Sequence, residues 1–291
     1  EYYMPYATSA SNTTSYSTGS SAPTITVEYN KSTSSAVGWL NYIELIARRN
    51  LTMYGGQMDF RDAVNTGSGK IAEFKISNST SNLKIWNVTD PVNPLEVKTS
   101  LSGTIASYKA AADSINEYVA FDGSLFLTAS AIGKVENQNL HGTGYFPDLI
   151  VITPAFLLQQ ARELAGLHKA NDGLDTLVTT PQVVYNEFSG GRQDITAIKD
   201  FIKMFYDKAG SNIEDLPQYV LFFGDASYDY KNRVSNNTNY VPSFQSTSSF
   251  SPTSSYVSDD YYGFLDDTEG EWASADKLDV GIGRLPLKTT D

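Results

Sequence analysis

The run Tyr219-Val-Leu-Phe-Phe-Gly-Asp225 decides the fold, because an unbroken apolar stretch ends abruptly at a glycine and an aspartate. A short apolar run of this kind is typical of a buried strand in a parallel sheet. Ligands of open α/β sheets bind beyond the carboxyl ends of such strands. The chain that follows is largely polar as far as Trp272 and returns to an apolar pattern at Leu278–Arg284. Because long loops without regular structure are usually functional, the segment 224–277 is where a function is expected.

Two strand–helix units precede this run and predict a partial, doubly wound parallel sheet for residues 148–291. Asp148–Thr153 is an apolar strand pattern, and Pro154 stands where a helix tolerates proline at its start. Leu174–Thr179 repeats the strand pattern, and Asp194 is placed to cap a second helix with one apolar face. Strands that alternate with helices in this way are typical of α/β domains with right-handed crossovers.

The preceding residues, 23–135, show short alternating strand patterns that are separated by turn residues. No amphipathic helix interrupts them, so they predict an antiparallel β-sandwich. The predicted strands are Thr24–Tyr29, Trp39–Arg48, Lys70–Ile76, Leu83–Val88, Leu95–Val97, Thr104–Tyr108 and Glu117–Phe121. Residues 1–22 are rich in Ser, Thr and Tyr without a period, and they predict coil. Residues 136–147 predict a linker, with a domain boundary between Leu127 and Pro147.

Composition and charge exclude several classes of protein. The 291 residues are enough for two cores, and a net charge of −12 argues against nucleic acid or an anionic membrane as partner. No apolar run reaches the roughly 18 residues that a transmembrane helix needs, and no signal peptide is evident. The absence of cysteine excludes a thiol nucleophile, a disulfide or a thiolate metal site within this sequence. High Ser, Thr, Asn and Tyr usage favours an extracellular protein.

An acidic loop is the best candidate for a metal site. Four carboxylates fall close together in it: Asp266, Asp267, Glu269 and Glu271. Ca²⁺ prefers six to eight oxygen ligands, and Asp225 would join these carboxylates if the loop folds back to the strand end. A solvated acidic surface is the alternative, and the sequence leaves the two open. Zinc is disfavoured, because His141 and His168 would have to converge from separate parts of the chain.

Three blocks of the sequence, taken together, carry a family resemblance. They are Tyr219–Asp225, Ser258–Gly263 and Val280–Arg284, in that order. These blocks resemble the gingipain-type cysteine peptidases, family C25. The longer blocks Gly224–Lys231 and Ser258–Asp267 are similar to one branch of that family, the type IX secretion sortases. The resemblance extends from Pro23 to the end of the sequence.

The resemblance implies a caspase-like α/β peptidase whose catalytic His and Cys lie on later strands. Because this sequence contains no cysteine, no catalytic residue is assigned in it, and we expect an inactive amino-terminal part of a longer enzyme. The resemblance further implies that the parent protein removes carboxy-terminal sorting signals from exported proteins. Its partners would be those proteins and secretion-system components, at the surface of a bacterial outer membrane. Calcium near the acidic loop is also implied by the resemblance.

A non-enzymatic function is the alternative hypothesis. In it, a calcium-stapled surface module binds carbohydrate or protein, and Trp39, Trp86 and the numerous tyrosines stack against sugars. Burial of these aromatic side chains within the sandwich is the more ordinary expectation. A downstream Gly-His-Gly followed by a cysteine would favour the peptidase.

Overall fold

The computed structural model describes residues 4–17, 19, 22, 24–131, 133–270 and 276–290. The chain divides into two compact units: the β unit, Thr18–Lys134, and the α/β unit, Val135–Asp291 together with Glu1–Ser17. The β unit contains antiparallel sheets and the α/β unit contains a parallel sheet with helices, as the sequence predicts. No helix in the described parts of the chain is long and apolar enough to cross a membrane.

The β unit is built from strands that pair antiparallel in two sheets. The strands are β1 (Gln57–Arg61), β2 (Ile71–Ile76), β3 (Lys84–Asn87), β4 (Leu95–Val97), β5 (Ser100–Ser102), β6 (Ile105–Ala111) and β7 (Glu117–Phe121). They lie in the orders β1-β7-β3-β4 and β2-β6-β5. Ile76 of β2, Ile85 of β3 and Ala120 of β7 are fully buried in one apolar cluster. The two sheets therefore share a core, as in a sandwich.

Two of the predicted strands are not strands in the structure. Residues 24–50 form no strand, so the predictions for Thr24–Tyr29 and Trp39–Arg48 are wrong. Alternation of apolar residues produces a strand only where a neighbouring strand accepts the backbone hydrogen bonds. No described residue pairs with this segment in that way, and its apolar side chains are exposed. The chain first joins the sheets at Thr52, which forms a bridge with Ser77.

The two tryptophans of the β unit have different surroundings. Trp39 is 80% exposed within the segment that forms no strand. Trp86, in β3, packs edge-on against Phe121, with the ring centroids 5.2 Å apart. These two candidate sugar-stacking residues therefore do not lie together on one face of a sheet.

The α/β unit alternates strands and helices along the chain. Its elements are β8 (Leu149–Ile152), α1 (Leu158–Asp172), β9 (Thr176–Thr179), α2 (Pro181–Phe188), α3 (Ile195–Ala209), β10 (Tyr219–Phe223), β11 (Phe244–Gln245), β12 (Val257–Ser258) and β13 (Gly281–Leu285). The parallel strands lie in the order β13-β10-β8-β9, and β11 and β12 form a separate antiparallel pair. Strand β10 is therefore flanked by a parallel strand on each side.

Alternate residues of β8 belong to two different cores. Leu149 and Val151 pack with helix α1, whereas Ile150 and Ile152 pack with α2 and α3. All four are buried, which explains why the strand is apolar without alternation. Helices thus cover both faces of the sheet, as in a doubly wound fold. Helix α3 begins as predicted, because the Asp194 carboxylate accepts a hydrogen bond from a main-chain N–H of its first turn at 2.8 Å.

Part of the predicted linker, residues 136–147, is bound to helix α2 through Glu187. The Glu187 carboxylate accepts hydrogen bonds from the main-chain N–H groups of Leu140, at 2.7 Å, and His141, at 3.1 Å. The Gln138 side chain donates to it at 3.0 Å, and the Nδ1 atom of His141 lies 2.7 Å away. Burial acts to raise the pKa of Glu187, but these hydrogen bonds outweigh it and lower the pKa to about 2. The segment around His141 is therefore fixed to the α/β unit.

We expect limited proteolysis to cut the chain between Leu127 and Glu136 and to spare residues 138–141. Leu127 is 99% exposed, and the described residues of this stretch form no helix or strand, whereas Glu187 holds the residues that follow. Glu187→Gln leaves one acceptor oxygen for several donors, so new cleavage is expected within 138–141. Mass spectrometry of the fragments locates the cut sites.

The same attachment has a defined pH dependence. The pKa of Glu187 is about 2 in the folded chain against 4.5 for the free group, so the carboxylate stabilises the fold fully above pH 4.5. That contribution is lost as the pH falls through about 2.

In the proteolysis experiment, Glu163→Gln on the exposed surface of α1 is the matched control, and it should leave the cleavage pattern unchanged. Cleavage of wild-type chain within 138–141 at neutral pH would contradict the attachment.

Candidate functional site

The carboxyl end of β10 leads into the long polar loop that the sequence singles out. Gly224 follows the strand, and a Cβ atom at this position would lie 2.8 Å from the ring of Pro154, so the packing here requires glycine. The main-chain oxygen of Asp225 accepts hydrogen bonds from the N–H groups of Tyr240 and Val241 at 3.1 and 3.0 Å. These bonds close the loop at its base, directly beyond the sheet.

Asp225 also uses its side chain to hold this base. The carboxylate accepts a hydrogen bond from the Thr238 hydroxyl and lies 3.3 Å from the Nζ atom of Lys288. The main-chain N–H of Asp225 donates to the oxygen of Leu287 at 3.0 Å. Asp225, a predicted metal ligand, thus has partners of its own, and it is not in the group of carboxylates described below.

Arg284, in β13, connects the segments around the carboxyl end of the sheet. Its Nε and Nη2 atoms donate to the two oxygens of Asp259 at 2.6 and 2.8 Å, a bidentate geometry. Its Nη1 atom donates to the main-chain oxygens of Gly224 and Val241, both at 2.9 Å. The guanidinium carbon lies 4.9 Å from the centroid of the Phe222 ring. Because the two charged side chains are only 14% and 17% exposed, the pair depends on these hydrogen bonds.

The motif Ser258–Gly263 contributes packing and hydrogen bonds to the same region. Tyr262 is fully buried, and its hydroxyl donates to the main-chain oxygen of Pro242 at 2.6 Å. Burial raises the pKa of Tyr262, so the hydroxyl remains protonated and keeps this bond. A Cβ atom at Gly263 would lie 2.7 Å from the side chain of Leu278, so a larger residue here would require that side chain to move. The motif therefore has a structural role.

Three carboxylates converge beyond this motif. Oxygen atoms of Asp266, Glu269 and Asp279 lie within 4.8 Å of one another. The Tyr206 hydroxyl donates to Asp266 at 2.8 Å, and main-chain N–H groups donate to one oxygen of Glu269 and one of Asp279, at 3.0 and 2.8 Å. The second oxygen of Glu269 is buried and has no hydrogen-bond partner among the described residues. The hydrogen bond to Asp266 raises the pKa of Tyr206 to about 12.

The structure places Asp267, another predicted ligand, outside this group. The Asp267 side chain is 89% exposed and forms an ion pair with Lys203 at 2.9 Å. Glu271 lies outside the described residues. Asp279 joins the group although it follows the acidic run in sequence, because a hydrogen bond to the Leu265 N–H holds it there. Its position just before β13, where the chain returns to the sheet, is the signal that could have identified it. The metal site itself stays a prediction.

Comparisons with known proteins agree with the resemblance seen in the sequence. The model of Peptidase family C25 matches residues 144–291, which include all of the sheet and the loops at its carboxyl end. A crystal structure of dimeric latent PorU from Porphyromonas gingivalis is similar, with 30% identity and a TM-score of 0.70. That likeness covers 82% of this chain and 24% of the PorU chain, so the chain spans about a quarter of PorU. No curated protein matches the sequence.

Breaking the buried pair should destabilise the α/β unit more than breaking an exposed pair. Arg284→Met leaves Asp259 without its partner and frees two main-chain oxygens, so we expect the free energy of unfolding to fall by about 3 kcal/mol. Lys169→Met removes an exposed pair with Asp175 in the same unit and should cost about 0.5 kcal/mol or less. Urea unfolding followed by circular dichroism measures both changes. Equal losses in the two variants would contradict the role given to Arg284.

Proposed function

Because the chain belongs to peptidase family C25, we propose that it is part of a cysteine endopeptidase of a type IX secretion system. In this proposal, the parent protein is a sortase that removes carboxy-terminal sorting signals from exported proteins. The match of the family model to the α/β unit is the observation that carries the proposal. The likeness to PorU covers more of the chain than the family match does, so it includes part of the β unit. This favours a relative of PorU over an unrelated protein with the same peptidase fold.

The chain would supply a scaffold and not the reacting groups. A cysteine peptidase needs a thiolate and a base that activates it. This sequence contains no cysteine, so in the proposal the nucleophile belongs to another part of the parent protein. The chain contributes the carboxyl end of the parallel sheet, where Arg284 and Asp225 fix the loops. Fixed loops reduce the ordering cost of binding a polypeptide substrate there.

The same proposal gives the parent protein a place and partners. A sortase of this kind acts at the bacterial cell surface, in association with the outer membrane, on exported proteins and beside secretion-system components. The acidic composition, without cysteine and with high Ser and Thr content, is compatible with an exported protein. The alternative, a non-enzymatic module that binds carbohydrate, is less favoured because the family of the chain is one of peptidases.

We expect this chain alone to hydrolyse no peptide bond, and the parent protein to hydrolyse peptides that contain a sorting-signal junction. The thiol that the reaction requires is absent from the chain. Fluorogenic peptide assays on both proteins measure this, with a Cys→Ala variant of the parent as the inactive control. Activity of the chain that is lost on replacing Asp225, His141 or His168 would contradict the proposal, whereas activity that survives all three changes points to a contaminating peptidase.

We also propose that Asp266, Glu269 and Asp279 bind a calcium ion. Carboxylates held this close repel one another, and a divalent cation relieves that repulsion. The buried second oxygen of Glu269 has no hydrogen-bond partner among the described residues and would find one in the ion. Oxygen ligands without thiolates or imidazoles suit Ca²⁺, which also accepts main-chain carbonyls and water. Of the ligands predicted from sequence, Asp266 and Glu269 are retained in this group.

Calcium should raise the melting temperature of the chain relative to excess chelator, because an ion that binds only the folded state stabilises it. The double variant Asp266→Asn/Glu269→Gln should lose this response. Asp267→Asn is the matched control, since its side chain is exposed and paired with Lys203, and it should keep the response. Thermal melts in calcium, in magnesium and in chelator measure the effect. Identical melting temperatures for wild-type chain in calcium and chelator would leave the loop as a solvated acidic surface.

A further inference from the structure

Two loops of the α/β unit meet beyond the carboxyl end of the sheet. One is the turn between α2 and α3, residues 189–194. The other is the loop after β10, which begins at Gly224. The Gln193 side chain donates to the main-chain oxygen of Tyr230 at 3.1 Å, which joins them. The second loop makes a tight turn there, because the Asn232 N–H donates to the Asp229 oxygen at 3.1 Å and Asn232 has a positive φ of 53°.

The carboxylates of these two loops are bound to other groups of the fold. Asp194 caps helix α3, and Asp225 binds Thr238 and Lys288 at the base of the loop. Asp229 is only 8% exposed, and its carboxylate accepts the N–H of Val234 at 2.6 Å. Each of these negative groups therefore has a partner within the fold.

The cations of the same loops face solvent. Arg192, Lys231 and Arg233 are exposed, and none of them forms an ion pair with a carboxylate in the part of the chain that the structure describes. Tyr228 and Tyr230, beside them, are 72% and 57% exposed. We call these five residues the cationic surface. The exposed charged side chains of residues 189–193 and 228–234 are these three cations, on a protein whose net charge is −12.

We propose that the cationic surface binds an acidic, extended segment of polypeptide. Carboxylates of such a segment would pair with Arg192, Lys231 and Arg233, and its apolar and main-chain atoms would cover Tyr228 and Tyr230. The inference rests on the proposed function and adds to it the chemistry of the substrate, a polypeptide that presents acidic residues.

The net charge of the protein indicates which class of anionic polymer the cationic surface binds. A nucleic acid or a densely charged polysaccharide presents negative charge over a long stretch and is repelled by the acidic remainder of the surface. A peptide with a few carboxylates pairs with three cations and presents neutral main chain elsewhere. The exposed tyrosines favour the same partner, because aromatic side chains are enriched where proteins bind proteins.

The test is binding of labelled peptides to this chain, measured by fluorescence anisotropy. Two peptides of equal length are compared, one with aspartate at every third position and the other with asparagine instead. The acidic peptide should bind and the amide peptide should not. The variant Arg192→Gln/Lys231→Gln/Arg233→Gln should weaken binding of the acidic peptide by about tenfold, since each exposed ion pair contributes a small amount.

A charge-matched control separates a specific surface from a general charge effect. Lys84→Gln/Lys98→Gln/Lys109→Gln removes three exposed cations from the β unit and should leave the affinity within about twofold of wild type. Equal weakening by the two triple variants, or equal binding of the two peptides, would overturn the proposal. So would an anionic polysaccharide that binds more tightly than the acidic peptide. This assay uses no catalysis, so its outcome is independent of whether the parent protein proves to be a sortase.

Discussion

The ion pair of Arg284 with Asp259 is the interaction on which the carboxyl end of the sheet depends. Removing two charges from water is costly, and the cost is recovered only when their hydrogen bonds are satisfied. The planar guanidinium can meet both oxygens of Asp259 and still donate to two main-chain oxygens, which an ammonium group cannot do in the same geometry. Through these oxygens, β13 fixes the end of β10 and the base of the loop that follows it.

The parts of the fold that could be predicted are those specified by neighbouring residues. Strands β8 and β10 are short apolar runs with polar ends, and α3 has a cap at Asp194 followed by an apolar face. These signals are local, and in this fold both apolar runs also have parallel strands beside them. The segment 24–50 shows the limit of such reasoning. Its alternation is also local, but a strand needs a partner, and the partner is not specified by the segment itself.

The candidate site could be predicted only in part, for the same reason. The acidic run predicted Asp266 and Glu269 as ligands. Asp279, which was not predicted, completes the group and is held there by a hydrogen bond from the main-chain N–H of Leu265. Asp225 and Asp267 have the right chemistry and different partners, a cation in each case. Contacts between residues far apart in sequence decide which carboxylates meet. Residue type and spacing alone do not contain that information.

The same hydrogen bonds that build these loops also decide the charge of their surface. Asp194 and Asp229 each accept a hydrogen bond from a main-chain N–H group, and Asp225 pairs with Lys288. An aspartate used in this way is withdrawn from solvent or held against the backbone, so it contributes little to recognition. Arg192, Lys231 and Arg233 are exposed and form no ion pair with a carboxylate among the described residues. An acidic protein can therefore present a positive surface beside its parallel sheet, as a consequence of how the loops are held in place.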